Sequence, residues 1–125
     1  MTAARQRMGR VAEDFVADRL ARAGWKIVAR NARSRHGELD IVAIDDHALV
    51  FVEVKAGRLG AAFGPERPIL AIDDRKQRQV RRLAAAWLAT RPDLPFHAEV
   101  RFDAVGVSFG SDGRACDYEH IQGAF

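Results

Sequence analysis

Apolar positions along the chain change their period several times, and each period predicts an element. Between residues 9 and 23, Val11, Ala12, Phe15, Val16 and Leu20 recur at helical spacing, and Gly24 follows as a stop. Residues 25–29, WKIVA, read as a short strand, and residues 31–37 as a polar connection. Two strongly apolar runs, 38–44 and 48–55, are separated only by Asp45-Asp46-His47 and predict a hairpin, although the favoured Asn-Gly or Asp-Gly pair is missing. Residues 57–68 are rich in Gly and Pro and read as a loop. Asp73 or Asp74 can cap a helix running to about Thr90, with Val80, Leu83, Ala84, Trp87 and Leu88 as its apolar stripe. Pro92 and Pro95 close that region, residues 97–107 read as a strand, Ser111-Asp112-Gly113 as a turn, and 115–121 as a last short strand. The order α-β-β-β-α-β-β predicts one α/β domain over residues 1–125, a central mixed sheet flanked by helices. The right-handed crossover rule makes the third and fourth strands parallel neighbours.

The hairpin raises the chemical question. A two-residue turn at Asp46-His47 would set Asp40 opposite Glu53, Glu38 opposite Lys55, Val42 opposite Phe51 and Ile44 opposite Leu49. One face would then be wholly apolar: Leu39, Ile41, Ala43, Val50, Val52 and Val54. The other would be apolar near the turn and carry all four charges at its far end. Two carboxylates facing each other repel unless a cation lies between them. Lys55 supplies one positive charge; a divalent metal would supply two, and Mg²⁺ takes carboxylate oxygens together with water and phosphate oxygens. A surface ion-pair cluster at a hairpin end is the competing reading, since such clusters are common and contribute little to stability.

Composition narrows the classes. Of 125 residues, 48% are hydrophobic and 30% charged, which suits a globular chain. No run is long enough for a membrane span, and the early charged residues leave no apolar signal core, so the expectation is a cytoplasmic protein with no membrane partner. The single Cys116 excludes an internal disulfide and reads as a buried or half-buried thiol; the four His show no metal-ligand spacing. The net charge of +3 says less than its placement, in clusters at Arg5, Arg7 and Arg10, at Arg30, Arg33 and Arg35, and at Arg75, Lys76, Arg78, Arg81 and Arg82. Such clusters suit an anionic partner. Lys76 falls close to Leu83 and Trp87, on the apolar stripe, whereas Arg78 and Arg82 lie on the other side and could track phosphates. Arg101 and Asp103 share one side of their strand and read as an ion pair on the sheet.

Asp40 followed by Glu53-Val54-Lys55 resembles the PD-(D/E)xK core of restriction-endonuclease-like nucleases. More closely, the chain resembles the YraN-like family of uncharacterised bacterial proteins. The matching pieces are GRVAE at 9–13, RNAR at 30–33, GELDIVA at 37–43, VFVEVK at 50–55, RFD at 101–103 and HIQGAF at 120–125. They cover nearly the whole chain in order, and the nuclease core is similar to that of archaeal-type Holliday-junction resolvases. The resemblance implies a restriction-endonuclease-like fold and a metal-dependent nuclease. Asp40 and Glu53, with the Val54 carbonyl, would hold Mg²⁺ or Mn²⁺. Lys55 would orient water or stabilise the phosphorane, Glu13 would add a further catalytic acid, and Glu38 would support the ligands. After Lys55 the family usually continues with a Thr-Arg pair, whereas this chain reads Ala56-Gly57-Arg58, so Arg58 stands out of step as a substrate contact.

The expected activity is hydrolysis of DNA phosphodiesters, branched or structured DNA included. The alternatives are a nucleic-acid-binding module without turnover and a protein-interaction subunit. A homodimer would suit a symmetrical junction, but no dimer face is legible.

Overall fold

The computed structural model describes residues 2–61, 67–94 and 97–125. Its elements follow the predicted order: α1 (Ala3–Arg22), β1 (Lys26–Ser34), β2 (Gly37–Asp45), β3 (Ala48–Arg58), a short 3₁₀ turn (Pro68–Ala71), α2 (Asp74–Ala89), β4 (Glu99–Phe109) and β5 (Ala115–Ile121). The strands form one five-stranded mixed sheet in sequential order. Only β3 and β4 run parallel, joined through α2, as the crossover rule requires. The fold is α/β and consistent with a nuclease-like fold.

Each helix covers one face. Ala12, Val16, Ala17 and Leu20 of α1 pack on Ile41, Ala43, Val50, Val52, Val54, Val105 and Val107. Val80, Leu83, Ala84 and Trp87 of α2 pack on Val42, Leu49 and Phe51. Burying one such side chain is worth about 1.5–3 kcal/mol, so the two layers hold the central strands firmly.

Helix α1 starts six residues before the predicted Gly9, because Thr2 caps it by accepting from Arg5 N at 3.2 Å. It stops as predicted: Gly24 takes φ +96°, Gly24 N donates to Ala21 O and Trp25 N to Leu20 O, a Schellman motif. β1 runs on to Ser34 through residues predicted as a connection. It is the sheet's edge, so half its residues face solvent and can be polar. β3 continues through Gly57 and Arg58; residues 62–66 of the expected loop, like Pro95, lie outside the described residues. The 3₁₀ turn sits close over β3 and β4, where a Cβ on Gly57 would lie 2.9 Å from Pro68 Cγ and one on Gly106 would lie 3.0 Å from Ile69 N. Asp73, not Asp74, caps α2, accepting from Lys76 N at 2.9 Å.

The hairpin register holds near its turn, with Asp45 beside Ala48, Val42 beside Phe51 and Ile41 beside Val52. Asp46 takes φ +54°, a left-handed conformation that Asp tolerates, which replaces the missing Asn-Gly. Cys116 is exposed rather than buried; its thiol donates to Ser108 O at 3.4 Å.

Candidate active site

The ladder between β2 and β3 ends at Ile41 and Val52, so Asp40 does not pair across to Glu53, nor Glu38 to Lys55. Beyond that rung the Asp40 side chain takes the place of the backbone partner: Val54 N donates to Asp40 Oδ2 at 2.8 Å. Val54 thus meets Asp40 through its N–H.

The predicted face assignment also changes here. Leu39 packs in the α2-side cluster, not with Ile41 on the α1 side. In β2, Leu39 and Val42 share a face; in β1, Ala29 and Ala32 do the same. A strand alternates faces every residue, so a spacing of three means that both strands roll over once. Asn31, between Ala29 and Ala32, takes φ +50°, and a β-bulge lies between Ile27 and Ala29. Alternation therefore fails at Asn31 in β1 and at the neighbouring Asp40 in β2. The predicted single charged face becomes a cluster that threads the opening between β2 and β3.

On the α1 side, one carboxylate oxygen each from Glu13, Glu38 and Asp40 lie within 4.8 Å of one another. On the α2 side, Glu53 is only 2% exposed, and its Oε1 pairs with Lys76 Nζ at 3.3 Å. Its Oε2 is buried with no hydrogen-bond partner. Burial raises the Asp40 and Glu53 carboxyls above the usual range; each is partly countered by Lys76 and Lys55, and Asp40 pushes Glu53 further up. Burial, then Asp40 and Glu38, lift Glu13 to about 7. Lys55 is half-buried, and its charge acts on both Asp40 and Glu53.

The helical-stripe position of Lys76 is therefore a site position: from the first turn of α2 it meets Glu53. It also lines an open groove of about 660 Å³, together with Ser34, His36, Arg75, Gln79 and Arg82. Arg78 is exposed and does not line this groove, whereas Arg82 does. Arg81 sits over the Phe102 ring, 5.2 Å from its centroid. Arg58 is exposed and lines a separate hollow with Met8, Val11 and Phe109. The residue the sequence reading missed is Asn31. It lies within the RNAR piece, and a lone Asn in a polar stretch is the one signal of a left-handed residue that the chain offers there.

Arg101 and Asp103 form the predicted ion pair, at 2.8 Å, and it is part of a larger knot. Asp103, fully buried, also accepts from Gly123 N at 3.0 Å and meets His120 Nε2 at 2.8 Å, while Arg101 reaches Asp45 at 3.0 Å.

A mixed sheet clasped by two helices, with acids and lysines gathered where two central strands part, places the chain among α/β proteins consistent with a nuclease-like fold. The chain belongs to the Uncharacterised protein family UPF0102, whose model matches residues 12–107, as the YraN-like pieces led us to expect. It is 47% identical to a UPF0102 protein of Magnetococcus marinus over 117 residues, 94% of this chain and 90% of that one. A relative from Frankia casuarinae is 46% identical over 124 residues, 98% of both chains. One from Geobacter metallireducens is 42% identical over 118 residues, 94% of this chain and 91% of that one. Among the described residues, no helix is long and apolar enough to cross a membrane.

Proposed function

We propose that the protein is a metal-dependent nuclease that hydrolyses DNA phosphodiesters, including those of branched or structured DNA. The observation that carries this reading is Glu53: a carboxylate buried beside Asp40, with one oxygen left without a partner. A buried unpaired carboxylate is costly, and such groups concentrate where function requires them.

The donor set fits a hard divalent cation. Asp40 and Glu53 offer oxygens only, Glu13 stands beside Asp40, and no His or Cys joins the cluster found among the described residues. Asp40 and Glu53 would hold Mg²⁺ or Mn²⁺. When bound, such an ion neutralises phosphate charge and makes water a better nucleophile. Lys76 anchors Glu53 and extends positive charge into the groove, where Arg75 and Arg82 favour a phosphate backbone. Lys55 places a fixed charge beside the same carboxylates, suited to a transition state that gains negative charge.

The test is incubation of purified protein with Mn²⁺ or Mg²⁺ and labelled single-stranded, duplex, flap and four-way DNAs, with Asp40→Asn in parallel. Cleavage that needs metal and disappears in the variant is expected. Tight, salt-sensitive binding without cleavage would replace this reading with a non-catalytic nucleic-acid-binding module. An absence of both would leave a protein-interaction role.

A further inference from the structure

Two lysines bear on the buried Asp40 and Glu53 carboxylates, and they are mounted differently. Lys55 lies within β3, two residues along from Glu53, and its charge acts on both acids from that fixed place. Lys76 comes from the first turn of α2. Its backbone is pinned, because Lys76 N donates to Asp73 Oδ1 at 2.9 Å. Its side chain is not pinned: a flexible aliphatic stem carries the ammonium, 26% exposed, to Glu53 Oε1 at 3.3 Å.

The contact leaves Glu53 half satisfied. The ammonium meets one oxygen, and Oε2 stays buried without a partner. The same charge also acts on Asp40, so one movable lysine serves two buried acids. The ammonium has a second place to go. Lys76 lines the groove of about 660 Å³ with Arg75 and Arg82. Among the described residues, the one acid on that groove is Asp73, already taken up as the cap of α2. Turning the ammonium toward two arginines is unfavourable unless an anion lies among them, so without one it stays on Glu53. A divalent cation on the two carboxylates would reverse this balance, since the ammonium beside Glu53 would then face a like charge.

We propose that Lys76 is a resident counter-ion that exchanges with the divalent cation. It holds Glu53 while the acids are unloaded, and it turns into the groove to take a substrate phosphate once they are loaded. This inference rests on the nuclease reading above and deepens it. The exchange is reciprocal: a phosphate that draws Lys76 away from Glu53 favours the cation, and the cation favours the phosphate by the same factor. Lys76 therefore lowers cation affinity when no nucleic acid is bound, and loading and substrate capture become one coupled event.

Amine labelling read by mass spectrometry tests this on the unaltered full chain, whose three lysines are Lys26, Lys55 and Lys76. Lys26 is exposed and serves as the reference. Saturating Mg²⁺, with its binding followed by calorimetric titration, should speed labelling of Lys76 at least about 5-fold, the scale of ordinary coupling between two sites, and leave Lys26 unchanged. Lys55 controls for the field of the cation: it lies beside the same carboxylates and cannot leave them, so its rate should change much less. A hydrolysis-resistant phosphorothioate single strand should then protect Lys76 again. Lys76→Met removes the competitor and should bind Mg²⁺ at least about 10-fold tighter in the absence of DNA. Bound Mg²⁺ with Lys76 labelling unchanged, or accelerated no more than Lys55, overturns the exchange and leaves the nuclease reading intact. A folded Lys76→Met protein that binds Mg²⁺ no tighter does the same. Failure of the strand to protect the released Lys76 overturns its contact with phosphate. No bound Mg²⁺ at all overturns both the exchange and the metal-dependent reading beneath it.

Discussion

Glu53 and Asp103 are buried carboxylates only one step apart across the β3–β4 ladder, where Asp103 pairs with Val52. Their surroundings are opposite. Asp103 receives the Arg101 guanidinium, the Gly123 N–H and a His120 ring nitrogen, and the His120 and Arg101 contacts outweigh burial and hold its carboxyl below the usual range. Glu53 has one ion-paired lysine, Lys76, with the Lys55 charge acting beside it, a like-charged neighbour and an orphan oxygen, and its carboxyl is pushed up. Burial is common to both. What separates the two carboxylates is whether the fold supplies their partners.

The comparison can be broken most sharply by substitution. Asp103→Ala leaves Arg101 half-buried with only Asp45 as acid partner, and should cost about 3–5 kcal/mol in urea unfolding. Glu53→Gln should leave metal-free stability unchanged or improved, since it removes a strained charge. Equal destabilisation by the two changes would erase the distinction. In cleavage the order reverses: Glu53→Gln and Asp40→Asn should each lose at least about 100-fold in rate, the scale of removing one electrostatic stabiliser from a site. Soluble variants of Asp103 assayed below their melting temperature should keep most of it.

Acidity separates the two clusters next. The Asp103 carboxyl is lowered from its ordinary 3.8, so its stabilisation is present above 3.8 and fades as pH falls through its folded value. Glu13 is raised from 4.5 to about 7, so its protonated form favours the fold; that contribution is full below 4.5 and is lost as pH climbs through about 7. Metal-free melting temperatures should therefore fall on both sides, through Asp103 in acid and through Glu13, together with the raised Asp40 and Glu53, toward and above neutrality. Mn²⁺ should remove the neutral-side decline alone. A decline unaltered by Mn²⁺ would mean that the acids near Glu13 do not bind it.

The smallest effect concerns the groove. Replacing Arg75 and Arg82 by Ala should flatten the salt dependence of DNA binding by roughly one unit of log–log slope for each phosphate left without its arginine. Replacing Arg78, which does not line the groove, should change it less.

Much of this was legible in the sequence. Period and caps placed all seven main elements, because the central strands and the α2 stripe are buried and their patterns are strong. The first turns of α1 were missed because residues 3–7 are exposed and carry no stripe, though Ala, Arg and Gln are good helix formers. The end of β1 was missed because an edge strand need not alternate. Asp40, Glu53, Lys55 and Glu13 were named from motif and resemblance, and the fold brings Asp40 beside both acids. The direct opposition of Asp40 and Glu53 was not legible, because it extended a regular register past Ile41 and Val52, where the ladder ends and the Asp40 side chain bonds Val54 N instead. Lys76 was visible as a charge on an apolar stripe, but its partner lies on a strand reached only through tertiary packing.

The glycines beneath the 3₁₀ turn set a rule for sequence drift. β3 and β4 look like stretches where Val, Ile and Ala could be exchanged freely, yet at Gly57 and Gly106 even a methyl group would crowd Pro68 or the backbone of Ile69. That turn leads directly into the helix bearing Lys76. Gly57→Ala and Gly106→Ala should therefore each lower the melting temperature, and Gly106→Ala should weaken the proposed cleavage through a lysine thirty residues away in sequence.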